Sequence, residues 1–553
     1  MSARHTLGRM LPLVLALSLG AAACGGSSAG TAAPGDGEPV KAKVGGSITY
    51  AADQEPTGFN QLTSKDSGTS VVNVEAGILP GVFSTHPDFS VQLDDNLMES
   101  AELTKEDPQT ITYKIKAAAK WSDGVDISAK DFEYVWKAQN GTNKKFDVAS
   151  TTGYEDIASV TGSDADKTVT VVFKNKYADW KALFGPLLPA HYMTKLPGGI
   201  EAGWNTGLDK GFPLSGGPFK IGTYKPTDSL TLVRNDAYFG PKANLDSVVF
   251  RFLPESTTQP DALKNGEVQL IYPQPQLDLV AAVKAIPGVK SQTSFGLSFE
   301  HIDFNFKTPG LDDPAVRKAI AMGLDVDSML KRTVAQFDDS VKPLGNRIYV
   351  NNQKEYADNA GSYGKADAAA ATKLLDDAGY AKGADGIYAK GGKKLSFRFS
   401  TTAGNALRET QGELFKTQMK AIGIDIKIDN SKAPILFGER LPKGNYDIAD
   451  FAWVATPFAT SNKSIYSTGA GQNYGKYTNP EVDKMFTDAN LILDDGKRAE
   501  AFNAIDKKLW DDMVTVPLYQ KPTFIAFSDK YVNIGDNASS SGPFWNVGTW
   551  GLK

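Results

Sequence analysis

Cysteine and histidine are nearly absent from this chain. Its 553 residues include one Cys and four His. A single cysteine excludes an internal disulfide and a cysteine-based zinc site. His5, His86, His191 and His301 are scattered, with no H-x-x-x-H-type spacing to bring two imidazoles to one metal ion. No metal or cofactor is expected. A long basic run is also missing. Acidic residues number 64 against 59 basic, a net charge of −5, which makes a poor partner for nucleic acid. Beyond residue 24, no apolar stretch reaches the roughly 20 residues that cross a membrane. The acid pairs Asp94-Asp95, Asp312-Asp313 and Asp511-Asp512 read as caps or solvated faces. Gly26-Ser27-Ser28-Ala29-Gly30 matches G-x-S-x-G, but a nucleophile elbow needs a strand before it and a helix after it. Neither is predicted there, so no catalytic residue is assigned and the chain is not expected to be an enzyme.

The N-terminus explains the lone cysteine. Arg4 and Arg9 precede an uncharged run, Leu11–Ala23, too short to span a bilayer and suited to a signal peptide. Ala21, Ala22 and Ala23 lead directly to Cys24. This arrangement resembles a bacterial lipobox, which implies lipidation at Cys24. Residues 1–23 are therefore expected to be a lipoprotein signal peptide. Residues 24–44 are expected to be the lipidated cysteine and a tether, since Gly, Ser, Ala and Pro predominate and there is too little apolar surface to bury.

The remaining length is too great for one core and predicts several lobes. Period-2 patterns mark strands at 110–116, 168–173, 230–233 and 248–252. Ser128 and Asp131 form a capping-box pattern ahead of Phe132, Val135 and Trp136. Asp313-Pro314 and Asn479-Pro480 place a cap and a first-turn proline before helices. A helix over 366–378 should stop at Gly379, and one over 408–421 near Gly423. Ile424, Ile426 and Ile428 alternate as a strand. Interspersed helices and strands, without an internal repeat or an internal linker, predict interleaved α/β lobes.

Trp121-Ser122-Asp123-Gly124, followed by Asp131-Phe132 and Trp136, is the most specific motif. Asp-Gly is a turn signal, and Trp121 is large enough to anchor the turn, so the motif itself reads as structural. Further segments follow in order: Ser215–Tyr224, Arg234–Tyr238, Asn265–Val268, Phe304-Asn305, Pro314–Asp325, Leu374–Tyr380, Ile422–Asp425, Asn445–Asp447, Asn473-Tyr474, Asn479–Asp483 and Val516–Tyr519. The ordered set resembles the family 5 solute-binding proteins of ABC importers, the peptide- and nickel-binding lipoproteins. The resemblance implies a type II periplasmic-binding-protein-like α/β fold of two hinged lobes plus an inserted lobe. Lobe I would use residues 45–82, 213–305 and 521–553, lobe II residues 83–212, and lobe III residues 306–520.

The resemblance also implies a function: capture of a peptide or peptide-like solute between lobes I and III by hinge closure, then delivery to a permease with its ATPase subunits. The protein would act as an extracytoplasmic monomer held to the membrane through Cys24. The alternative is a lipoprotein of the same fold without a transport role, which affects assembly of mannosylated envelope lipids. Trp453 and Tyr272 are expected as aromatic pocket walls. Asn473, Tyr474, Tyr519, Phe299, Glu300, Ser67 and Gly68 are further ligand-binding candidates. Thr456 stands where many peptide binders of the family carry an Asp for the ligand's α-amino group, and Asp450 is the nearest carboxylate in sequence.

Overall fold

A computed structural model of the chain describes residues 39–163, 167–432, 435–539 and 541–553. The expected signal peptide, Cys24 and most of the expected tether lie outside the described residues. No helix among the described residues is long and apolar enough to cross a membrane.

A ten-stranded mixed sheet organises the molecule. One half holds Ser47–Ala52, Phe219–Lys225, Ser229–Arg234, Ser247–Phe252 and Leu270–Ile271. The other half holds Ser396–Ser400, Asp425–Ile428 and Ile448–Val454. Between them run the two longest strands, Val289–Phe304 of 16 residues and Thr515–Ser528 of 14. At about 3.3 Å per residue the first spans roughly 50 Å, enough to serve both halves. These strands pair antiparallel from Val289–Ser528 to Asp303–Thr515, and the register slips between Phe295 and Phe299. Gly296 lies in that slip, where a Cβ would sit 2.3 Å from the Ala538 carbonyl oxygen. The close backbone approach therefore requires glycine.

A separate four-stranded antiparallel sheet is built from Met98–Glu106, Gln109–Ile115, Ile157–Ser163 and Thr168–Phe173. Its apolar residues alternate inward, and Ile111, Tyr113, Val169 and Val171 are fully buried. Helix Ala129–Gln139 packs on this sheet, and its capping box is formed by Ser128 and Asp131. The Asp131 carboxylate also accepts from Trp121 Nε1 at 3.2 Å and from Ala190 N at 2.8 Å. The Trp-Ser-Asp-Gly motif thus ties a turn to a helix start, and Gly124 supplies the turn's positive φ of 88°. One apolar core runs continuously from this sheet into the first half of the large sheet. A second core packs the other half and runs through both central strands to Ala51 and Ile271 of the first half.

Asp313 and Asn479 cap their helices with proline in the first turn. The other two predicted helices occupy Ala368–Asp377 and Ala406–Ala421. Gly379 and Gly423 follow them at φ of 80° and 79°, the left-handed conformation that ends a helix.

Candidate functional site

Strand alternation divides the region around the central strands into two faces. Phe299 lies opposite Trp453 and His301 opposite Phe451, while Glu300 lies opposite Ala452 and Ile302 opposite Asp450.

The first face is aromatic. Trp453 lies between Tyr474, with ring centroids 5.6 Å apart and an interplanar angle of 24°, and His301, at 5.9 Å and 17°. Phe451 meets the Trp453 and His301 rings edge-on. His301 is fully buried, and its nearest charged neighbour is Asp303, with Oδ2 3.6 Å from Nε2. Asp303 Oδ1 accepts from the Tyr446 hydroxyl at 2.9 Å. Trp453 Nε1 has no hydrogen-bond partner among the described residues. Phe89, between the short strands Phe83–Thr85 and Val91–Leu93, is buried in the same apolar cluster as Phe299 and Trp453. Its backbone adopts φ of 64°, a left-handed conformation costing roughly 1–2 kcal/mol for a residue with a Cβ.

The second face is charged. Glu300 is held by Arg408, whose Nε lies 3.2 and 3.1 Å from the two carboxylate oxygens and whose Nη2 lies 2.9 Å from Oε1. Arg408 Nη1 donates to Thr402 Oγ1 at 3.0 Å. The Tyr519 hydroxyl accepts from Gln411 Nε2 at 2.8 Å. Lys521, two residues along from Tyr519 and so on the same face, places Nζ 3.9 Å from Glu300 Oε1. Burial pushes the Lys521 amine below the usual lysine range. Asp450 is fully buried with no hydrogen bond to either carboxylate oxygen among the described residues. Burial, and then the charge of Glu300, hold its carboxyl well above the usual carboxylate range.

This face opens into a cavity of about 40 Å³, room for only one to three waters. Gln274, Pro275 and Gln276 line it from one half of the sheet. Val334, Asn405 and Leu407 line it from the other, and Glu300, Tyr519, Lys521 and Pro522 come from the central strands. The cavity therefore lies where the two halves meet.

The structure brings Glu300 and Tyr519 together at this cavity, and Trp453, Tyr474 and Phe299 together on the aromatic face. Tyr272 follows strand Leu270–Ile271, beside Asp536 and Thr523. Thr456 is exposed beyond the end of strand Ile448–Val454, beside Phe458 and Ser461. Ser67 and Gly68 are exposed ahead of helix Thr69–Glu75. They do not line the cavity where the two halves meet, whereas Ser70 and Asn73 line a smaller one with Gln54 and Pro56. Asn473 requires a correction. Its Nδ2 donates to the Ser467 and Tyr477 carbonyls at 2.9 and 2.8 Å, and its Oδ1 accepts from Tyr477 N at 3.0 Å. That amide is spent on its own loop. Nor does Asp450 stand in for the acid missing at Thr456, because it lies on the opposite face from Trp453.

Sequence reasoning missed Arg408, Lys521 and Gln411. Arg408 and Gln411 read as helix positions, and a pair of buried polar residues one turn apart is the only trace of their role. Lys521 carried a clearer signal, as the one charged residue in strand Thr515–Ser528.

Residues 92–475 match the family described as bacterial extracellular solute-binding proteins, family 5 (middle). The chain belongs to that family. It is 31% identical over 512 residues to the oligopeptide-binding protein OppA of Mycobacterium tuberculosis, covering 90% of this chain and 84% of OppA. The crystal structure of the periplasmic EDTA-binding protein EppA superposes with a TM-score of 0.88 at 28% identity, covering 93% of this chain and 98% of EppA. The probable monoacyl phosphatidylinositol tetramannoside-binding protein LpqW of M. tuberculosis is 32% identical over 291 residues, but this covers only 51% of the chain and 45% of LpqW. The fold is thus the type II periplasmic-binding-protein fold of family 5, and these relatives are named for three different ligand chemistries.

Proposed function

We propose that this chain is the solute-binding component of an ABC importer and captures a peptide-like solute between the two halves of its large sheet. The observation that carries this reading is the cavity at the junction, which draws lining residues from both halves and from the strands that connect them. Two long strands crossing between rigid halves form a hinge, and closure removes water from the polar groups between them. The 31% identity to OppA over most of both chains supports a peptide-like solute. Lobe I (45–82, 213–305, 521–553) and lobe III (306–520) form the jaws, and lobe II (83–212) braces them. The captured solute passes to a permease with its ATPase subunits. Cys24 carries the lipid that holds the protein, a monomer, outside the cell membrane. Glu300 and Tyr519 line that cavity, while Trp453, Tyr474 and Phe299 form an aromatic wall on the opposite face of the same strands, with Tyr272 at the edge of the first half.

Native mass spectrometry of the full chain, titrated with a mixed peptide pool, tests the reading. Bound peptides are expected. A chain that ignores the pool but retains a mannosylated lipid would replace the importer reading with the envelope-lipid role.

A further inference from the structure

We propose that Lys521 is the anion-binding group of the interlobe cavity and that the captured solute presents a carboxylate to it. This rests on the binding-protein reading and narrows the ligand class. Glu300 does not satisfy Lys521. Arg408 occupies both oxygens of Glu300 at 2.9–3.2 Å, while Lys521 Nζ stays 3.9 Å away. Lys521 Nζ makes no hydrogen bond to the described residues, although an ammonium carries three donors, and its side chain is 27% exposed, open towards the cavity and solvent. Asp450 does not compensate either: no donor reaches either of its oxygens, and its burial favours the neutral acid. The face thus sets the Arg408 and Lys521 cations around the Glu300 carboxylate, with the Asp450 carboxyl buried beside them and reached by no donor among the described residues.

The remaining polar groups suit the same ligand. Asn405 uses Oδ1 to cap helix Ala406–Ala421, accepting from Arg408 N at 3.2 Å, which leaves its NH2 group as the end that can donate into the cavity. Gln274 and Gln276 supply further amides from the opposite half. A carboxylate bound here would bridge the two halves, joining ligand charge to closure. A cationic group would instead meet Arg408 and Lys521, with the Glu300 oxygens already taken.

The carboxylate could belong to a peptide or to a non-peptide polycarboxylate, and the test separates them. Titration calorimetry on the full chain would compare peptides of one sequence as free acid and as C-terminal amide, an amidated peptide with an internal Asp, and metal-free EDTA. The same titrations would be run on Lys521→Gln and Lys521→Arg. Carboxylate-bearing probes are expected to bind wild type at least about tenfold more tightly than the uncharged amide, the worth of one charge-assisted contact. Lys521→Gln should erase that preference and Lys521→Arg should keep most of it. If no peptide binds but EDTA does, in a Lys521-dependent manner, the anion site stands and the peptide reading fails. Equal binding of acid and amide by wild type, an unchanged preference in Lys521→Gln, or no binding of any carboxylate would overturn the proposal.

Discussion

Glu75→Gln should stabilise the protein at pH 8 and leave its stability at pH 4.5 nearly unchanged. Glu75 ends helix Thr69–Glu75 and is only 1% exposed. Its Oε1 accepts from Gln61 N at 3.1 Å, and its Oε2 has no partner among the described residues. Burial pushes this carboxyl up to about 8, and the nearby Asp66 charge adds to the effect. The folded chain thus keeps a proton that the unfolded chain releases near pH 4.5. Stability is fully present below pH 4.5 and falls as pH rises towards 8, by about 1.4 kcal/mol per pH unit. Across the window this reaches ~5 kcal/mol, a sizeable share of the 5–15 kcal/mol typical of a folded domain. A neutral amide of similar shape removes the linkage. Chemical denaturation of both proteins at half-unit steps from pH 4.5 to 8.5 should give curves that diverge steadily and then run parallel above pH 8. Curves parallel throughout, or a variant less stable at pH 8, would refute the argument.

Asp506→Ala should cost about 3–5 kcal/mol. It strands the fully buried Arg347, whose Nη1 lies 3.3 Å from Asp506 Oδ1, and denaturant unfolding would measure the loss. Asp179→Ala should loosen the segment around Asp179 from the one around Thr460 and Arg498. Asp179 Oδ2 accepts from Thr460 N at 3.1 Å and from its Oγ1 at 2.5 Å, with Arg498 at 3.7 Å. Leaving these buried donors unpaired costs about 1–3 kcal/mol. Small-angle scattering of the solute-free variant should show a larger radius of gyration than wild type, and an unchanged radius would argue against a latch.

Local chemistry was readable along the chain. The Ser128–Asp131 box, the Asp313-Pro314 and Asn479-Pro480 starts, and the stops at Gly379 and Gly423 each depend on a few adjacent residues, whose backbone needs are the same in any fold. The ordered family segments pointed to the type II fold before any contact was known. The site was less legible, because its members meet only after folding. Trp453 stood out in the sequence, but its stacking partner His301 comes from a strand some 150 residues earlier in the chain. The sequence could not tell that Asn473 spends its amide on its own loop. Nor could it show that Asp450 faces away from Trp453, since that depends on strand register. Arg408, Glu300 and Lys521 lie on three segments spread over residues 300–521, and no local pattern announces an ion pair with a second, more distant cation beside it. Sequence alone determined the elements and the family, because caps, turns and hydrophobic periods act over a few residues. Only the tertiary structure decided which charges are paired and how closely, because that balance is set by burial and distances of about 3–4 Å between segments far apart in the chain.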